Sequence, residues 1–281
     1  MAERVLDGKT VLVTGAGRGL GLTMSLALLR AGANVTMMER DADALEQGAR
    51  EAADVEGAEP VATFQGDVTS DNDAAAVVAQ TIERFGGLHG LVNNAALGPQ
   101  AFQPTNVEPR PRIWEVENDL WRQFLNVNGS GPFIMTCAAL PHLLGQGWGR
   151  IINVTTSLDT MWRAGMGPYG PAKACAEAFT ASLAADLEGT GVSANVLVPG
   201  GRADTRMIPK DGQFTDRSLL VSRDVMEAPV VWLASEASNG VNNMRFRAAL
   251  FDPDRPTAQG PEAAGAPAAW TQLGNQAIQK A

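Results

Sequence analysis

The stretch TVLVTGAGRGLGLTMSLALLRAGANVTMMER, residues 10–40, decides the fold. It opens on a short apolar run, TVLVT, passes a glycine-rich loop, continues as a helical pattern and closes on a second apolar run, NVTMMER. Strands this continuously apolar are covered on both faces, and such a unit sets its strands parallel with a right-handed crossover. The alternation extends outward through helix 41–55, strand 61–68, helix 71–86 and strand 90–95. The segment 119–144 reads as one long helix that Gly129, Gly131 and Pro132 must bend. Strand 149–156, helix 171–189, strand 193–200, helix 224–235 and strand 246–251 complete the pattern. No repeat or linker divides the first 250 residues. The expectation is a single α/β domain over 1–252, a doubly wound parallel sheet of the Rossmann type.

Composition narrows the partners. Among 281 residues the formal net charge is −9, which repels phosphate backbones and anionic lipid, so neither nucleic acid nor membrane is expected. No apolar run is long enough to span a bilayer, and the first strand begins too early for a leader. Cys137 and Cys175, both in apolar helical surroundings, read as buried reduced thiols, which suits the cytoplasm.

In a doubly wound sheet, ligands sit beyond the carboxyl ends of the strands. After the first strand comes TGAGRGLG, with Gly15, Gly17, Gly19 and Gly21 around Arg18 and Leu20. These glycines let the backbone turn tightly and approach a pyrophosphate drawn to the following helix N-terminus. Glu39 ends the second strand, where a carboxylate can bind a ribose 2′-hydroxyl and repel a 2′-phosphate, favouring NAD over NADP. Arg18 and Arg40 bear the opposite way, as phosphate ligands or as solvated surface arginines. Asp67 and Val68 end the third strand, where the aspartate either meets an adenine or caps the next helix. Asn93, Asn94, Ala95 and Ala96 end the fourth strand, in a setting where side-chain amides satisfy free backbone groups; Pro199 and Gly200 end the sixth.

The only tyrosine, Tyr169, stands four positions before Lys173 in GPYGPAKA (167–174), at a helix start that Pro171 suits. A free phenol has a pKa near about 10, too high for an efficient base at neutral pH. A lysine ammonium one turn away favours the phenolate. Taken together and in register, TGAGRGLG, Asp67–Val68, NNAA (93–96), Asn128, YGPAK (169–173) and Pro199–Gly200 resemble the short-chain dehydrogenase/reductase family from about residue 8 to about 251.

The resemblance implies NAD(P)-dependent interconversion of a secondary alcohol and its ketone, with Tyr169 as general acid and base. It implies that Lys173 holds the nicotinamide ribose and that Asn128 supports a water chain from that lysine. It also implies a nicotinamide contact near Thr205, no metal, and a homotetramer or homodimer built on the helices around 120–144 and 171–188. The substrate-orienting hydroxyl falls on Thr156 by register, whereas residue type favours Ser157; both stay open.

Two departures from the pattern stand out: Ala96 replaces a glycine, and Asn243 takes a late glycine's place, where it can adopt the left-handed conformation. Segments 97–119 and 201–224 read as substrate loops, and Met161, Trp162 and Met166 suggest an apolar or aromatic substrate. The tail 253–281 reads as disordered or docked on a neighbouring subunit. A catalytically silent dinucleotide sensor is the rival reading; an epimerase or dehydratase of the extended branch is disfavoured by the glycine spacing.

Overall fold

Val11 and Val13 face one apolar cluster and Leu12 the other, so the first strand is buried on both sides as its composition requires. The structure is a computed structural model that describes residues 4–55, 57, 61–102, 110–208, 216–252, 254 and 264–270. Strand β1 (Thr10–Thr14) leads through helix α1 (Gly19–Arg30) to β2 (Asn34–Glu39), then α2 (Ala42–Ala53), β3 (Ala62–Gln65), α3 (Asp71–Phe85) and β4 (Gly90–Asn93). Helix α4 (Asn118–Phe124) passes through a π-helical segment, Leu125–Ser130, into α5 (Gly131–Gly145). There follow β5 (Gly149–Val154), the short α6 (Leu158–Trp162), α7 (Tyr169–Asp186), β6 (Val192–Val198), α8 (Glu227–Ala234), β7 (Met244–Arg247) and β8 (Gly265–Pro267).

The sheet runs β3-β2-β1-β4-β5-β6-β7-β8. The first seven strands pair in parallel and β8 joins antiparallel. Strand order reverses between β1 and β4, which opens a crevice at their carboxyl ends. One face packs Met24, Leu28, Val230 and Phe246 beneath α1 and α8. The other packs Val77, Met135 and Leu183 beneath α3, α5 and α7. This is a single Rossmann-type domain. The expected bend in the long helix is the π-helical segment. Asn243 is left-handed, with φ 58°.

Three expectations change. The described part of the tail docks on its own sheet: β8 pairs with β7, and Ala268 N–H donates to the Asn243 carbonyl. Expected disorder rested on composition, which carries no signal for a three-residue strand. Residues 255–263 and 271–281 lie outside the described residues, as do 103–109 and 209–215 of the two substrate loops. Cys137 and Cys175 are free but exposed, because the outward stripes of α5 and α7 are themselves apolar. Finally, Ser70 caps α3 by accepting from the Asp73 N–H, while Asp67 turns to the Thr69 backbone and hydroxyl. Among the described residues no helix is long and apolar enough to cross a membrane.

Candidate active site

The glycine-rich loop is tight because its neighbours leave no room for side chains. A Cβ on Gly21 would stand 2.1 Å from the Gly15 carbonyl oxygen, and one on Gly15 would stand 2.8 Å from the Ala95 Cα. Gly19 has φ 58°, which a side chain would strain. Arg18 precedes α1 and offers no side-chain cap, so the first N–H groups of the helix are left for a ligand. Gly15, Arg18, Gly19 and Leu20 line a cleft whose cavity is about 590 Å³. An uncapped helix start behind a glycine cradle fits a dinucleotide pyrophosphate. Gly17 does not line the cleft: it faces α2, where a Cβ would lie 2.8 Å from the Ala44 carbonyl, and it serves close packing.

At the end of β2, the Glu39 carboxylate accepts from the N–H groups of Arg40 and Asp41, which holds it at the cleft wall. Arg18 pairs with Asp41 at 2.6 Å and Arg40 with Asp67 at 3.5 Å. Both arginines are therefore partly neutralised, though still at the cleft. Burial raises the Asp67 carboxyl, yet the Thr69 hydrogen bonds and the Arg40 charge bring it below its usual range.

Beyond β4, Asn94 donates to the Thr14 and Gly15 carbonyls and locks the turn, as expected of a strand-end amide. Asn93 instead points into the core, where its amide donates to Asn153 at 2.8 Å and to Thr136 at 3.2 Å. Asn128, fully buried in the π-helical segment, grips Leu97 at both ends: its Oδ1 accepts from the N–H at 2.8 Å and its Nδ2 donates to the carbonyl at 2.9 Å. It does not line the cleft; it fixes the segment that does. Val68, Ala95, Ala96, Pro199, Gly200 and Thr205 are all at the cleft.

Helix α7 begins at Tyr169 itself, so the phenol stands on its first turn. A Cβ at Gly170 would come within 2.6 Å of the Thr160 carbonyl, and its absence lets α6 lie against α7. Thr156 stands beside Tyr169, its hydroxyl near enough to oppose the effect of burial on the phenol. Ser157 bonds the Thr160 hydroxyl at 2.8 Å. Lys173 donates to the Val154 carbonyl at 2.7 Å. The structure thus brings Tyr169, Lys173, Thr156 and Ser157 to one cleft.

The electrostatics differ from the sequence expectation. Burial raises the Tyr169 phenol above its ordinary value, with the Thr156 hydrogen bond opposing, and burial brings Lys173 down to about 8. The low-dielectric setting drives both groups toward neutrality, which outweighs the acidifying effect expected of the lysine.

Several contributors escaped the sequence. Thr155 donates to Glu177 at 2.7 Å, Glu177 pairs with Arg245 at 3.0 Å, and Arg245 also donates to the Thr156 carbonyl. The Ala269 N–H joins Glu177 at 3.2 Å, so the tail touches this network. Of the three residues expected to make an apolar cleft, only Met166 lines it; Met161 is buried away from it and Trp162 is exposed. Period and alternation could not place them, because α6 is only five residues long.

Comparison with known proteins agrees with this geometry. The short chain dehydrogenase family matches residues 9–215. A gluconate 5-dehydrogenase of Gluconobacter oxydans is 31% identical over 247 residues, covering 84% of this chain and 91% of that one. A 2,5-dichloro-2,5-cyclohexadiene-1,4-diol dehydrogenase of Sphingobium indicum is 33% identical over 196 residues, covering 69% and 73%. Carveol dehydrogenase from Mycobacterium avium, solved in complex with NAD, shares the fold at TM-score 0.73 and 20% identity, covering 85% and 95%. The chain belongs to the short-chain dehydrogenase/reductase family. It is an NAD(P)-dependent oxidoreductase acting on CH–OH donors, with a small-molecule substrate.

Proposed function

We propose that the protein interconverts a secondary alcohol and its ketone, with Tyr169 as the group that moves the proton. The observation that carries this is that Tyr169, Thr156 and Lys173 line one cleft with the glycine cradle. The nicotinamide, when bound, supplies the hydride acceptor or donor. Thr156 holds the substrate oxygen beside the phenol by a hydrogen bond. Tyr169 gives its proton to that oxygen in reduction and takes it in oxidation. Lys173 positions the ribose and, when charged, favours the phenolate. Asn128 keeps the Leu97 segment in place and supports solvent access to the lysine.

Glu39 supports NAD as the preferred cofactor, since its carboxylate repels a 2′-phosphate where Arg18 and Arg40 are engaged with Asp41 and Asp67. Assembly through α5 and α7 is supported by their outward apolar residues: Phe133 is 51% exposed and stacks edge-on with Phe179 at 5.8 Å. The domain then spans 1–252 with a tail that contributes β8.

The deciding experiment compares wild type with Tyr169→Phe. Turnover of ketones or alcohols, followed by NADH absorbance, should fall by roughly 10²–10⁴-fold. NADH affinity should stay within about twofold. A Phe variant that turns over at the wild-type rate contradicts the mechanism. NADH binding without turnover across a broad wild-type panel would favour the silent sensor.

A further inference from the structure

Helix α7 carries three polar side chains in a line. Tyr169, Lys173 and Glu177 fall four positions apart, so they share one face of the helix, each a turn beyond the last. The first two line the cleft; Glu177 is fully buried and does not. Its partner Arg245, on β7, is also outside the cleft and nearly as buried, with Nε 3.0 Å from Oε1. An ion pair so enclosed gives up its hydration. Burial draws the Arg245 guanidinium below its ordinary pKa, with the Glu177 charge opposing. Replacing such a pair by apolar residues is often no loss to stability, so what the pair holds in place matters more than the pair.

It holds the end of β5. That strand stops pairing with β6 at Val154 and Leu197, and the Thr155 N–H adds one bond to the Leu197 carbonyl at 3.2 Å. Thr156, whose hydroxyl stands beside the Tyr169 phenol, lies past the ladder. Side chains take over there, one for each residue. Lys173 donates to the Val154 carbonyl at 2.7 Å, and Glu177 accepts from the Thr155 hydroxyl at 2.7 Å. Arg245 donates to the Thr156 carbonyl. The last two grips flank the Thr156 Cα and so fix the direction of its side chain.

The tail closes the set. In β8, Ala266 lies opposite Arg245, and Ala268 packs on Val196 and Val198 of β6. The Ala269 N–H then donates to Glu177 Oε1 at 3.2 Å. Ala269 has φ 53°, a left-handed conformation that its Cβ strains. Such strain persists where the surroundings over-determine it, as they do at an amide seated on a buried carboxylate. We propose that Glu177, Arg245 and Ala269 are positioning residues of the reaction: acting through the Thr155–Thr156 backbone, they aim the Thr156 hydroxyl at the substrate oxygen beside Tyr169. This rests on the alcohol–ketone reading of the same site. Small displacements of such a hydroxyl weaken its hold on a reacting atom, so the support behind it matters.

The test reads Tyr169 alone, because the chain holds one tyrosine. Whole protein saturated with NADH and carrying a carbon-13 label at the tyrosine Cζ gives one NMR signal, which responds to hydrogen bonding of the phenol. Thr156→Ala sets the reference displacement. Arg245→Met should move the signal the same way and at least half as far, and should add nothing in the Thr156→Ala background. Ala269→Pro, which lacks the N–H and cannot take the left-handed turn, should also move it that way. Glu177→Gln keeps an acceptor for both N–H groups and should stay nearer wild type than Glu177→Met. NADH affinity should stay within about twofold throughout. Thr81→Val, which breaks a buried hydroxyl pair with Thr36 on the other side of the switch point, should lower stability to urea and leave the signal in place. Where Arg245→Met does not fold, Thr155→Val, which cuts one link and keeps the ion pair, stands in for it. A signal unmoved by Arg245→Met or by Ala269→Pro, or displacements that add in the double variant, overturn the proposal. So does a signal that moves as far in Thr81→Val. If Thr156→Ala itself leaves the signal in place, the partnership of Thr156 with the phenol fails and the proposal with it. Turnover by Tyr169→Phe at the wild-type rate, a separate measurement, sinks the alcohol–ketone reading and takes the proposal down with it.

Discussion

Thr156 and Ser157 are neighbours at the end of β5, and their hydroxyls part company. Thr156 meets the phenol of Tyr169, whereas Ser157 turns to Thr160. Thr156→Ala should therefore lower kcat by roughly 10²-fold, the scale of losing one donor at a reacting oxygen. Ser157→Ala should cost less than about threefold, which steady-state kinetics on the two variants in parallel will check. Lys173 offers a second test. Burial holds its ammonium near 8, while an unfolded lysine keeps a pKa of about 10.4. Below 8 both states are charged and the desolvation cost is fully present. Between the two values the folded chain has released a proton the unfolded chain still holds, so stability rises with pH. Relative to Lys173→Met, wild type should gain about 2 kcal/mol between pH 7.5 and 10 in urea titrations.

Elements reveal which signals the chain displays openly. The β1–α1–β2 unit was readable because strand burial, loop glycines and helix length all demand the same arrangement. Gly21 shows how strict that demand is: Gly21→Ala drives a methyl into the Gly15 carbonyl, 2.1 Å away. We expect a loss of roughly 1–3 kcal/mol in urea unfolding, with weakened NADH binding, as overpacking a closed turn entails. The bend at 125–130 was also readable from its glycines and proline. Less was visible where two residues compete for one task, as Asp67 and Ser70 do for the start of α3. Met161 and Trp162 were misjudged because a one-turn helix sends adjacent side chains to opposite surroundings.

At the scale of the molecule, the sheet supplies two independent services. Its switch point opens the cleft, and its far edge takes up β8, which seats the Ala269 N–H against the buried Glu177–Arg245 pair. Arg245 in turn holds the Thr156 carbonyl. Removing one partner from a buried ion-pair network leaves uncompensated polar groups. A chain ended after Asp252 should unfold at lower urea concentration and lose kcat by about tenfold or more, with NADH affinity less affected. Circular dichroism and turnover on the same preparation will separate the two effects.

That linkage carries a practical lesson for anyone handling the enzyme. An affinity handle or fluorescent fusion belongs at the amino end, because whatever tugs on Ala269 reaches, through one amide, one carboxylate and one guanidinium, the backbone of the threonine that steers the chemistry.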